Sequence, residues 1–118
     1  MGKPEYVELD PEVSAFLQLA KDSPFLNDKF SKAKKAIKMM REVGPSYQGF
    51  CTHAMQHLKG PGDLQIWNSY VENAVSNAWR MYWVYRSDGG IYIVSIGPHT
   101  HTPGSQPEVT RKGKIKDS

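Results

Sequence analysis

Strict alternation in the seven residues WRMYWVY, at positions 79–85, constrains the fold more than any other segment. Successive strand side chains point to opposite faces, so the large apolar residues lie on one face and Arg80 and Tyr82 on the other. The following Ser-Asp-Gly-Gly, at 87–90, is typical of a hairpin loop and leads into an apolar strand at 91–96. The sequence therefore predicts a sheet with one face that must be covered.

Two amphipathic helices are predicted ahead of this hairpin. The first begins at Asp10-Pro11, since Asp is a preferred helix cap and Pro is favoured in the first turn. The second has apolar residues at spacings of three and four over 26–40, and it ends at Gly44-Pro45. Further strands are predicted at 6–9 and 65–71.

This order of elements predicts an α+β fold, in which both helices cover one face of a small, mostly antiparallel sheet. The opposite sheet face is then expected to be open. Residues 46–60 have a weaker pattern that favours a short helix or a loop. We expect a domain over residues 1–102, followed by a flexible basic tail at 103–118, which is rich in Pro, Gly, Ser and Lys.

Composition and charge limit the setting of the protein. Cys51 is the single cysteine among 118 residues, which excludes an intrachain disulfide and favours a reducing compartment. No apolar run approaches the roughly 18 residues needed to cross a bilayer, so we expect a cytoplasmic protein without a membrane partner. The net charge of +3 is concentrated in the second helix and the tail, which indicates a polyanion or acidic partner. A solvated helix face and a solubilising tail are the alternative.

The chemical groups of the chain gather on and after its last two strands. RNA carries its own nucleophile, the 2′-hydroxyl, so its cleavage requires a base, an acid and a cation near the phosphate. Arg80, His99 and His101 are of the types that supply these functions without a metal or another cofactor. They are the predicted catalytic residues. The predicted RNA-binding residues are Lys59, Tyr82 and Arg86.

Paired histidines leave a metal site as an alternative. His53 and His57 share a face if their segment is helical, and His99 and His101 share one side of an extended segment. Neither pair has an accompanying carboxylate or a strong metal signature, so no metal is predicted. The chain also lacks a glycine-rich phosphate loop.

Short motifs in a particular order give the chain a family resemblance. Four segments resemble parts of the RelE/ParE superfamily. The first, YVELDPEVSAFLQLAK, resembles its first strand and helix, and HLKG resembles its L-K-G segment. WRMYWVY resembles its Y-R-L-x-Y segment, and IYIVSIGPHTH resembles its I-x-x-I-G-x-H segment. This superfamily contains toxins of type II toxin–antitoxin systems, and the likeness runs over residues 6–101. It is greatest to the RelE and HigB messenger-RNA interferases.

The resemblance implies a RelE-like fold and a toxin that cleaves messenger RNA, in the ribosome, to inhibit translation. Arg80 matches the family arginine that contacts the scissile phosphate. His99 and His101 fall where family members place proton-transfer residues, and Lys59 matches a variable basic position. A cognate antitoxin that wraps the basic surface is the implied partner. Two alternatives stay open: a ParE-like toxin that poisons gyrase, and a non-catalytic module that binds RNA or protein.

Overall fold

A computed structural model describes residues 1–73, 75 and 77–98, except for the side chain of His57. In these residues the chain passes from one short strand through two helices to four further strands. The strands are β1 (Val7–Leu9), β2 (His53–Lys59), β3 (Gln65–Tyr70), β4 (Trp79–Tyr85) and β5 (Ile91–Pro98). The helices are α1 (Pro11–Lys21) and α2 (Asn27–Glu42). His99, His101 and the predicted tail at 103–118 lie outside the described residues.

The five strands of the described residues form one sheet, in the order β1-β5-β4-β3-β2. The pairing of β1 with β5 is parallel, and the other three pairings are antiparallel. The predicted α+β class, with its mostly antiparallel sheet, is confirmed. Neither α1 nor α2 is long and apolar enough to cross a membrane.

The expectation of a short helix or a loop at 46–60 is wrong for its second half, which forms the edge strand β2. Only Gln48–Phe50 is helical, as a single 3₁₀ turn. The residues of β2 are not typical strand formers, and their pairing with β3 shifts register between Ala54 and Lys59. Tertiary pairing with β3 therefore decides this conformation against the local preference.

The predicted ends of the helices are confirmed by their capping contacts. The Asp10 side chain accepts a hydrogen bond of 2.9 Å from the backbone N–H of Glu12, and Pro11 occupies the first turn. After α2, Gly44 has a φ of +102°, in the region that favours glycine. A Cβ at Gly44 would also lie 2.5 Å from the carbonyl oxygen of Gly2, so a side chain is excluded there.

The helices pack on one face of the sheet, which we call the helix face. Trp83 lies fully buried on this face, stacked on Trp67 at 5.9 Å between ring centroids. Its indole N–H donates to the Ser69 hydroxyl at 2.9 Å. Ser69 lies 2.7 Å from the Thr52 hydroxyl, which donates to the carbonyl of Pro45 at 2.7 Å. The buried indole is thus linked by hydroxyl groups to the segment that follows α2.

The other side of the sheet, the distal face, was expected to be open, and this expectation is wrong. Leu58, Ile66, Tyr82, Val84 and Val94 form a second buried cluster there. Each of these side chains is at most 4% exposed. Most of them are apolar, so burying the centre of this face is favourable. The alternation in β4 is confirmed, because Trp79, Met81 and Trp83 belong to the helix-face core.

We predict that Ser69→Ala destabilises the fold by about 1–3 kcal/mol, because it leaves the buried indole N–H of Trp83 without an acceptor. Ser31→Ala is the matched control, since that exposed hydroxyl only bonds back to the carbonyl of Asn27 in its own helix. Its free energy of unfolding should stay within about 0.5 kcal/mol of the original chain. Urea unfolding measures both, and equal effects would contradict the role given to Ser69.

Candidate functional site

Arg80 is a buried cation on the distal face of β4, only 6% exposed. Its guanidinium carbon lies 3.7 Å from the centroid of the Tyr70 ring, which is close enough for a cation–π contact. Nη1 donates to the carbonyl of Glu72 at 2.7 Å and to that of Trp79 at 3.2 Å. These contacts fix the orientation of the guanidinium. Its Nε–H has no hydrogen-bond acceptor among the described residues.

Tyr70 lies beside Arg80, and His53 lies beside Tyr70. Sequence reasoning missed Tyr70 as a site residue and considered His53 only as a possible metal ligand. The His53 ring meets the Tyr70 ring edge-on, with 6.4 Å between centroids and 86° between planes. His53 Nδ1 lies 3.0 Å from the carbonyl oxygen of Cys51. Since a carbonyl only accepts, Nδ1 carries the proton and the neutral ring keeps its lone pair on Nε2. The imidazole that carries this lone pair is exposed to solvent.

Asn68 completes the distal polar cluster, which consists of His53, Asn68, Tyr70 and Arg80. Its Nδ2 lies 3.7 Å from the sulfur of Met55, whereas its buried Oδ1 finds no donor within the described residues. Asn68 pairs with His53 on one side and with Tyr82 on the other. The cluster thus holds an unsatisfied donor on Arg80 and an unsatisfied acceptor on Asn68. Leaving such buried groups without a partner has a cost in free energy.

Tyr82, one of the predicted RNA-binding residues, is fully buried on the distal face, where it pairs with Asn68. Burial raises the pKa of its hydroxyl to about 12, and the nearby charge of Arg80 offsets this only in part. The hydroxyl is therefore protonated at neutral pH and is not a base. Its ring contributes to the packing of the distal face together with Val84 and Val94.

The other two predicted RNA-binding residues do not lie near Arg80. Lys59 pairs with Gln65 on β3, whereas Arg80 pairs with Tyr70, five residues further along. At about 3.4 Å per residue this places them roughly 17 Å apart along the strand. Arg86 follows the other end of β4, where its guanidinium lies 4.5 Å above the Tyr92 ring.

Arg86 is also engaged by an acidic residue. Its Nη1 lies 2.6 Å from a carboxylate oxygen of Glu8, and it donates to the hydroxyl of Tyr6 at 3.3 Å. Those contacts and the ring of Tyr92 hold the guanidinium against β1 and β5. The structure therefore brings neither Lys59 nor Arg86 together with Arg80.

Glu72 joins the cluster to the helical layer. Its side chain, 4% exposed, lies 2.6 Å from Lys29 Nζ and 3.3 Å from Lys32 Nζ on α2. It also accepts from the backbone N–H of Trp79 at 3.1 Å. Burial alone would raise the pKa of this carboxyl, but the hydrogen bonds from Lys29, Trp79 and Lys32 outweigh it and lower the pKa. Glu72 is thus an ionised carboxylate whose own carbonyl orients Arg80.

The histidine pairs do not assemble a metal site in the part of the chain that the structure describes. No three His, Cys, Asp or Glu side chains come together among these residues. His53 lies on β2 rather than on a helix. The pair His99 and His101 falls outside the described residues, beyond Pro98, which itself pairs with Trp79 next to Arg80.

Part of the cluster has a sequence signal. The alternation in QIWNSY puts Asn68 and Tyr70 on one face, and antiparallel pairing with β4 makes that the face of Arg80. His53 could not be placed in this way, because β2 itself was not predicted.

Comparison with known proteins assigns no family. No protein-family model matches the chain, and no solved structure matches it. The chain is 30% identical, over 122 aligned residues, to calcium/calmodulin-dependent protein kinase type 1B of Rattus norvegicus. The alignment covers 98% of this chain but 35% of the kinase. The chain thus spans about a third of the length of that curated relative, which is too little to show membership of its family.

We predict that Glu72→Gln destabilises the protein at pH 7 by about 1–2 kcal/mol, since Lys29 and Lys32 lose a charged acceptor and both are partly exposed. The lowered pKa of Glu72 sets the pH dependence. Its stabilising effect is complete above the ordinary carboxyl value of 4.5 and is lost as the pH falls through the lower folded value.

Urea unfolding at pH 7 and pH 3 measures this effect, with the exposed Glu42→Gln as the matched control. The difference between Glu72→Gln and the original chain should shrink at pH 3. A difference that is the same at both pH values would contradict an ionised Glu72.

Proposed function

We propose that the protein is the toxin of a type II toxin–antitoxin system and acts as a metal-independent messenger-RNA endoribonuclease, which inhibits translation at the ribosome. The family resemblance of residues 6–101 motivates this proposal. The observation that carries it is the orientation of Arg80, whose guanidinium lies on Tyr70 and keeps Nε without an acceptor among the described residues. A phosphate oxygen is the acceptor that such a guanidinium suits best.

In the proposed reaction, the 2′-hydroxyl of the substrate loses its proton and attacks the adjacent phosphorus. The bond to the 5′-oxygen breaks, that oxygen takes up a proton, and the products carry a 2′,3′-cyclic phosphate and a 5′-hydroxyl. Arg80 stabilises the charge that develops on the phosphate. His53 is the proposed acceptor of the first proton, because Nδ1 donates to the carbonyl of Cys51 and the neutral ring then has its lone pair on Nε2. His99 and His101 remain the proposed source of the second proton.

The proposed antitoxin partner is supported by the surface of the helical layer. A groove of about 890 Å³ lies between α1 and α2, and its lining includes Leu17 and Phe30. Lys34 and Lys38 line it and are exposed. An acidic amphipathic segment has the apolar and charged faces that such a groove would receive.

A non-catalytic RNA-binding module is the second candidate, and the burial of Arg80 favours it. At 6% exposure, with Nη1 committed to two carbonyl groups, this guanidinium leaves little surface for a substrate. Under this alternative the distal polar cluster would hold a backbone phosphate without cleaving the chain.

We predict that induced expression of the protein in bacteria arrests growth and produces transcripts that end in 2′,3′-cyclic phosphate. Arg80→Lys should lower the rate of cleavage about 10²–10³-fold, because lysine lacks the forked donors of arginine. His53→Gln should lower it about 10²-fold by removing a base. Because His53 is exposed, this variant tests the site without disturbing the core.

Arg41→Lys, on the exposed surface of α2, is the control and should leave the cleavage rate unchanged. Circular dichroism and urea unfolding verify that each variant is folded. Growth arrest with DNA breaks and intact transcripts would contradict the nuclease and indicate a gyrase-poisoning toxin. Binding of RNA without cleavage would contradict the nuclease and indicate the non-catalytic module.

A further inference from the structure

A second cleft lies at the edge of the molecule, where α2 meets the 3₁₀ turn Gln48–Phe50 and the end of β3. Its volume is about 260 Å³. Lys32 and Lys35 of α2 line one side, and Tyr47 and Phe50 line the other. Tyr70 also lines it, and the same residue lies under the guanidinium of Arg80. The cleft therefore adjoins the distal polar cluster through one shared aromatic residue.

The aromatic side of the cleft is held in a defined arrangement. The rings of Tyr47 and Phe50 lie 5.1 Å apart between centroids and are inclined at 73°. Gln48 and Gly49 separate them in the chain, and a Cβ at Gly49 would lie 3.0 Å from Cε2 of Tyr47. The missing side chain thus lets the Tyr47 ring lie close over the backbone. Phe50 is buried, whereas Tyr47 is partly exposed and can present its ring to a ligand.

The charge of the cleft is positive. Lys32 and Lys35 are its only charged lining residues among those described. Lys32 forms ion pairs of 3.3 Å with both Asp28 and Glu72. Lys35 is exposed and forms no ion pair within the described part of the chain. A cation without a local partner beside an aromatic wall suits a ligand that carries both an anionic group and a flat ring.

We propose that this cleft binds one nucleotide of an RNA chain, with its base against Tyr47 and its phosphate on Lys35. A base stacks on an aromatic ring without regard to sequence, and a lysine ammonium binds the phosphate as a point charge. The shared residue Tyr70 puts this nucleotide next to the one whose phosphate meets Arg80. The assignment to RNA rests on the proposed function, whereas the nucleotide chemistry rests on the cleft alone.

Adenosine 5′-monophosphate is the probe for the cleft alone, with binding measured by calorimetry and by NMR shifts of the aromatic side chains. Tyr47→Leu should weaken binding about tenfold by removing the stacking surface. Lys35→Gln should abolish the preference for the monophosphate over adenosine. Lys21→Gln, an exposed lysine that does not line the cleft, is the matched control and should change neither quantity.

A short messenger RNA bound to ribosomes then tests the assignment to an RNA chain. Tyr47→Leu and Lys35→Gln should raise KM for its cleavage several-fold and leave kcat unchanged, since the cleft binds the substrate without touching the reacting atoms. If the protein binds the monophosphate at these residues but cleaves nothing, the proposed function fails and the nucleotide cleft stands. If it cleaves RNA and neither variant changes KM or monophosphate affinity, the proposed function stands and the nucleotide cleft is overturned.

Discussion

An ionised carboxylate inside the protein must be compensated, and Glu72 meets this requirement with partners from two layers. Lys29 and Lys32 come from the helix α2, and the backbone N–H of Trp79 comes from the start of β4. Removing such a group from water is costly unless these contacts form together. Glu72, which follows β3, is therefore fixed relative to α2 and to the start of β4. Because the carbonyl of Glu72 accepts from Arg80, the guanidinium of Arg80 is fixed as well.

How far the fold follows from local sequence depends on the element. The strand β4 and the helix α1 were predictable, because alternation and an Asp-Pro cap act within a few residues. The strand β2 was not, because its conformation depends on pairing with β3 and its own residues carry no period of two. Without β2, the position of His53 in the site could not be predicted either. A residue on an unpredicted strand has no assigned face, whatever its chemistry.

The buried distal face shows a different limit. The sequence correctly separates Trp83 from Tyr82, since alternation alone decides which side each occupies. It does not state whether a face is covered. Val84, Ile66 and Leu58 supply apolar surface from three strands, and this surface becomes contiguous only after the strands pair in register. The error therefore arose from judging the face by Arg80 and Tyr82 of a single strand.

The depth of Arg80 is consistent with a role in binding an anion and also limits that role. A guanidinium removed from water interacts more strongly with a phosphate than an exposed one does, because the local dielectric constant is lower. Its contacts with Tyr70 and Glu72 also mean that little reorganisation is needed when an anion arrives. Nη1 is committed to two carbonyl groups and Nε is buried, so under the proposed function a phosphate must be accurately placed to reach this guanidinium. The proposed function therefore requires further surface to hold an RNA chain, and we propose that the exposed His53 and the aromatic cleft lined by Tyr70 provide it.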